Sequence, residues 1–139
     1  MKTILFSAAM LLTLASNPAY SSGFVRLFEG NHCTQNSVGE VEVDRYRSIS
    51  FKKDPYLEND EARSVKLFDL QKGSIIRLYD SPDGKTNDDW VSIELKKNIS
   101  ELCVGSFERS IRNSTLTVSF HRNNGLDGKV SYIRVYPAD

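Results

Sequence analysis

The chain has few of the residues that carry chemistry. Its 139 residues include two cysteines, two histidines and one tryptophan, and 18 basic side chains balance 18 acidic ones. Without an excess of positive charge there is no broad field for non-specific nucleic-acid binding, so no nucleic-acid partner is expected. Two cysteines are too few for a disulfide-stapled miniprotein or a zinc-ribbon framework. No apolar run reaches the roughly 20 residues that a membrane-spanning helix needs. The sequence also lacks a G-x-S-x-G elbow, an H-E-x-x-H pair, a glycine-rich phosphate loop and a C-x-x-C motif. Nothing local places His32 or His121 beside a serine and an acid, and no catalytic residue or enzymatic activity is expected.

The one long apolar run stands at the start. Lys2 supplies a positive charge, Ile4 to Leu14 is almost unbroken apolar sequence, and Ala19-Tyr20-Ser21 puts small side chains where a signal peptidase reads them. Residues 1–21 are therefore expected to be a signal peptide, with an uncleaved anchor as the alternative. Removing them leaves 118 residues with 17 basic and 18 acidic side chains, a length suited to one domain over 22–139. A secreted or periplasmic location, with no membrane contact after cleavage, is the expectation. In an oxidising compartment Cys33 and Cys103 are expected to pair, with two isolated thiols as the alternative.

The rest of the chain alternates apolar and polar residues with period two. The pattern appears at Val25–Phe28, Val41–Val43, Ser48–Phe51, Ser64–Leu67, Ile76–Tyr79, Val91–Leu95, Leu116–Phe120 and Val130–Val135. Turn-forming clusters separate these runs: Gly30-Asn31, Asp54-Pro55, Lys72-Gly73, Ser81-Pro82-Asp83-Gly84 and Asn123-Asn124-Gly125. About eight short antiparallel strands in an all-β sandwich or barrel follow. Asn98 to Asn113 reads equally as loop, helical turn or strand.

The strands also echo one another. Val25-Arg26-Leu27-Phe28-Glu29 matches Ile76-Arg77-Leu78-Tyr79-Asp80, and Arg63-Ser64-Val65-Lys66-Leu67 matches Ser131-Tyr132-Ile133-Arg134-Val135. The ordered pair of matches points to a duplication, with halves at about 24–70 and 74–136. These strands, with Asn87-Asp88-Asp89-Trp90-Val91-Ser92-Ile93, resemble the βγ-crystallin domain, in its microbial or secreted type, from about Phe24 to Tyr136. The resemblance implies two Greek-key motifs folded into two facing sheets, with Trp90 in the core. Two features depart from the family pattern. Asn36-Ser37-Val38-Gly39 keeps a glycine without the usual aromatic, and Ile76 to Ile133 spans 57 positions where Val25 to Val65 spans 40.

The resemblance also implies a calcium chemistry. Calcium-binding members carry two copies of N/D-N/D-x-x-S/T-S, each site taking a side chain from its own loop and a hydroxyl from the other. Here the copies read Asn59-Asp60-Glu61-Ala62-Arg63-Ser64 and Asp127-Gly128-Lys129-Val130-Ser131-Tyr132. One candidate calcium site would keep both side chains, Asp60 and Ser131. The other is degenerate, with Gly128 and Arg63 in the ligand positions, and Arg63 is expected to stand in for an ion by pairing with Asp127. The loops read otherwise as plain turns. A secreted, non-enzymatic binding or structural domain with one weak calcium site and a protein or glycan partner is the leading expectation. A secreted inhibitor or toxin acting through exposed loops on a protein target is the alternative. An exposed Trp90 among other aromatics would favour a carbohydrate-binding face.

Overall fold

Alternating strands bury one face each, and two sheets stacked on those faces make the core. The computed structural model describes residues 3–5, 8–13 and 22–139. The signal peptide expected at 1–21 lies mostly outside the described residues. Among them, no helix is long and apolar enough to cross a membrane.

Ten strands form among the described residues: β1 (Phe24–Phe28), β2 (Ser37–Glu42), β3 (Arg47–Ser50), β4 (Ser64–Leu70), β5 (Ile75–Tyr79), β6 (Trp90–Leu95), β7 (Ile99–Val104), β8 (Ile111–Arg112), β9 (Leu116–His121) and β10 (Tyr132–Tyr136). They pair antiparallel into a four-stranded sheet, β2-β1-β4-β7, and a six-stranded sheet, β3-β10-β5-β6-β9-β8. The fold is an all-β Greek-key sandwich. Its halves exchange strands: β3, from the first half, lies in the six-stranded sheet, and β7, from the second, lies beside β4. The extra length of the second half is the β8–β9 hairpin, which widens the six-stranded sheet beyond β6. The ambiguous stretch Asn98 to Asn113 is thus half strand, β7 and β8, with a loop between them.

The core follows the alternation. Leu27, Val65, Leu78, Ile93, Val118 and Ile133 are all within 1% of full burial. Fully burying such a side chain contributes about 1.5–3 kcal/mol. Cys33 and Cys103 form the disulfide. It joins a 3₁₀ turn at Asn31–Cys33 in the first half to β7, the strand donated by the second. A covalent tie and a strand exchange therefore bind the same two halves.

Trp90 is a correction to the family-based expectation. It opens β6 in the outward parity, with Val91, Ile93 and Leu95 taking the inward one. Its ring stacks on His121 at 3.9 Å between centroids and lies 6.0 Å from Tyr79, on the outer face of the six-stranded sheet.

Candidate functional site

The two motif copies lie side by side at the junction of the halves. Asp60 N–H donates to the Val130 carbonyl at 3.1 Å, and Gly128 N–H donates to the Ala62 carbonyl at 3.0 Å. These reciprocal bonds join equivalent positions of the two copies. The second residue of each copy takes a left-handed backbone, φ 61° at Asp60 and 72° at Gly128. Aspartate and glycine are among the residues that tolerate this conformation best.

The crossed loops bring Asp60 and Ser131 together. Ser131, 3% exposed, donates its hydroxyl to Asp60 Oδ1 at 2.9 Å. Its backbone is fixed on both sides, by Ser131 N–H to the Tyr79 carbonyl and Phe51 N–H to the Ser131 carbonyl. Two oxygens bound to one calcium at 2.3–2.6 Å stand roughly 3 Å apart, so this pair fits a hard cation's spacing.

Three further carboxylates form a group of their own. Asp80, Asp88 and Asp89 each offer an oxygen within 4.8 Å of the others. Burial pushes the Asp80 carboxyl above its ordinary value and the charge of Asp88 adds to the push; Lys129 opposes it, while Asp89 and Asp60 reinforce it. Asp89 has another task. It is fully buried, and it accepts backbone N–H bonds from Asn123 (2.7 Å), Asn124 (2.9 Å) and Gly125 (2.9 Å). Burial works to raise this carboxyl, but the three N–H donors outweigh it and hold the group below its ordinary value. Asp89 thus secures the loop that leads into the second motif copy, and its oxygens are already committed. Its partners lie 34–36 positions away, so no local signal identifies Asp89 as a loop anchor.

At the degenerate position the structure departs from expectation in one respect. Arg63 does lie over Gly128: a Cβ there would fall 3.2 Å from the guanidinium. Arg63 and Asp127 nevertheless form no ion pair among the described residues. Asp127 Oδ2 instead accepts from the Asn31 side-chain amide at 3.2 Å. Burial pushes the Asp127 carboxyl up; the Asn31 bond opposes this, Glu108 adds to it by charge and contact, and the charge of Arg63 opposes it. The first residues of the two copies share one more feature. Asn59 Oδ1 and Asp127 Oδ1 are both buried with no hydrogen-bond partner among the described residues. Leaving such an acceptor unsatisfied costs about 1–3 kcal/mol.

Comparison of the chain with family models, with curated proteins and with solved structures gives no match.

Proposed function

We infer that the chain is a secreted, non-enzymatic binding domain of βγ-crystallin type, holding one calcium ion between its halves at Asp60 and Ser131. The observation that carries this reading is the 2.9 Å approach of Ser131 Oγ to Asp60 Oδ1 across the crossed loops. The charges of Asp88 and Asp60 both help to raise the Asp80 carboxyl, so the field beside the junction is acidic, and the orphaned Asn59 oxygen sits in the same motif copy as Asp60. At the second position Arg63 lies over Gly128, which offers no side-chain ligand, so one ion per chain is expected. The disulfide supports an oxidising destination. It ties a 3₁₀ turn to a strand and does not brace a protruding loop, so it gives no support to the inhibitor or toxin reading.

Thermal melts with calcium, with magnesium and with chelator test the reading. Binding to the folded state alone raises stability by about 2.7 kcal/mol when free ion is a hundredfold above its dissociation constant. The melting temperature is expected to rise with calcium, and Asp60→Ala is expected to remove the rise. A wild-type protein whose melting is indifferent to millimolar calcium would refute the site.

A further inference from the structure

The duplication supplies an internal control for a second surface. In the four-stranded sheet Arg26 of β1 lies directly opposite Lys66 of β4. In the six-stranded sheet their sequence equivalents, Arg77 of β5 and Arg134 of β10, lie directly opposite each other. Like charges facing each other across strands are unfavourable unless neutralised. The first half neutralises its pair: Arg26 is bridged to Glu40 at 2.5 Å and Lys66 to Glu101 at 2.5 Å. The second half does not. The neighbour of Arg77 in the register is Ser92, where Arg26 has Glu40, and the neighbour of Arg134 is Ser48. Among the described residues neither arginine forms an ion pair, although Glu94 lies on the same face of β6.

The aromatic side chains hold the two guanidiniums in place. Arg77 lies 5.3 Å from the Tyr136 ring centroid and 5.9 Å from that of Trp90, and Arg134 lies 5.0 Å from Tyr79 and 5.2 Å from Tyr132. Arg134 Nη1 donates to the Gly84 carbonyl at 2.9 Å and to the Tyr79 hydroxyl at 3.2 Å. Arg77 Nε reaches only the Ser92 hydroxyl, at 3.4 Å. Among the described residues the remaining N–H groups of both half-buried arginines have no hydrogen-bond partner. On the β3 side of Arg134 a groove of about 470 Å³ runs along Ser48, Ser50, Lys53, Asp54, Asp83 and Tyr132.

We propose that Arg77 and Arg134 form an oxyanion clamp for an acidic polysaccharide, with a carboxylate or sulfate seated between them and neighbouring sugar hydroxyls along the groove. Arginine matches both groups with paired N–H donors. The groove offers serine hydroxyls together with Asp54 and Asp83 carboxylates. These suit the hydroxyls that a sugar chain presents between its acidic groups, and Lys53 in the same groove balances one of the two carboxylates. The Trp90 ring is flanked by His121 and Tyr79, so recognition rests on the guanidiniums and not on sugar stacking against tryptophan. The clamp shares no residue with the Asp60–Ser131 pair, and its failure leaves the calcium reading intact.

The test uses the full mature chain with polygalacturonate and with heparin, measured by isothermal titration in calcium-free buffer. Ser92→Glu restores on β6 the counter-ion that Glu40 provides on β2, and it should weaken binding about tenfold or more. Ser92→Gln, equal in size but uncharged, should bind like the wild type. Arg77→Gln should bind as poorly as Ser92→Glu. Circular dichroism of each variant confirms that the fold is kept. Equal binding by Ser92→Glu and wild type would overturn the clamp. Free sulfate binding as tightly as the polymers would reduce it to a simple anion site, and poly-glutamate binding as tightly would assign a protein partner; either result overturns the proposal.

Discussion

Replacing Asp89 by alanine should be among the most damaging single changes in the domain. The carboxylate is fully buried and accepts three backbone N–H bonds, from Asn123, Asn124 and Gly125. Hydrogen bonds to a charged group contribute about 1.5–3 kcal/mol each. Asn123 and Asn124 are exposed, so water recovers part of that loss. A net cost of about 3–5 kcal/mol remains, which for a domain of this size lowers the melting temperature by about 10–20 °C. Asp89→Asn separates charge from shape. Asp89 Oδ1 serves Asn123 and Gly125 while Oδ2 serves Asn124, so an amide keeps two bonds and sets its NH₂ against the third N–H. About half the loss is expected. The sign with pH is fixed by the lowered carboxyl. Its contribution is complete above the ordinary aspartate value of about 3.9 and disappears as pH falls through the folded-state value. Urea unfolding of wild type and both variants from pH 7 to pH 2 is the assay. A cost below about 1 kcal/mol for Asp89→Ala at pH 7, or a gap that does not shrink in acid, would refute the reasoning.

The remaining predictions concern other parts of the domain. Ile93→Ala, at a fully buried position facing the opposite sheet, should cost about 2–5 kcal/mol in urea unfolding. Reducing the Cys33–Cys103 bridge, which closes a separation of 70 positions, should lower stability by about 4 kcal/mol on the chain-entropy account, read as the shift in unfolding midpoint with reductant. Asp127→Asn should show the opposite pH behaviour to Asp89→Asn. The raised carboxyl of Asp127 stabilises the folded wild type in acid and costs stability as pH rises through its folded-state value. The variant should therefore match or exceed the wild type at pH 7 and lose that advantage near pH 3.

The sandwich was largely legible because its core strands alternate strictly, and each alternation marks a buried face. β7 was obscured for the same reason. Ile99-Ser100-Glu101-Leu102-Cys103-Val104 lies at the edge of its sheet with one buried residue, so it carries little period-two signal. Trp90 was misplaced by family resemblance, although the parity of Val91, Ile93 and Leu95 already pointed it outward. The meeting of Asp60 with Ser131 followed from the paired motif copies. The anchoring by Asp89 and the unpaired Arg77 and Arg134 did not, because they depend on which strands lie side by side. Arg26 and Arg77 look alike in sequence; only the register shows Glu40 beside one and Ser92 beside the other.

Calcium stoichiometry tests the central claim most directly: one cation joins the halves at Asp60 and Ser131, and the second position is blocked. Isothermal titration should give one ion per wild-type chain. Arg63→Ser with Gly128→Asp should give two. The second aspartate then adopts the left-handed backbone that Asp60 already adopts, and the guanidinium that a Cβ at 128 would meet at 3.2 Å is gone. Two equal sites in the wild type, or none in either protein, would contradict the account.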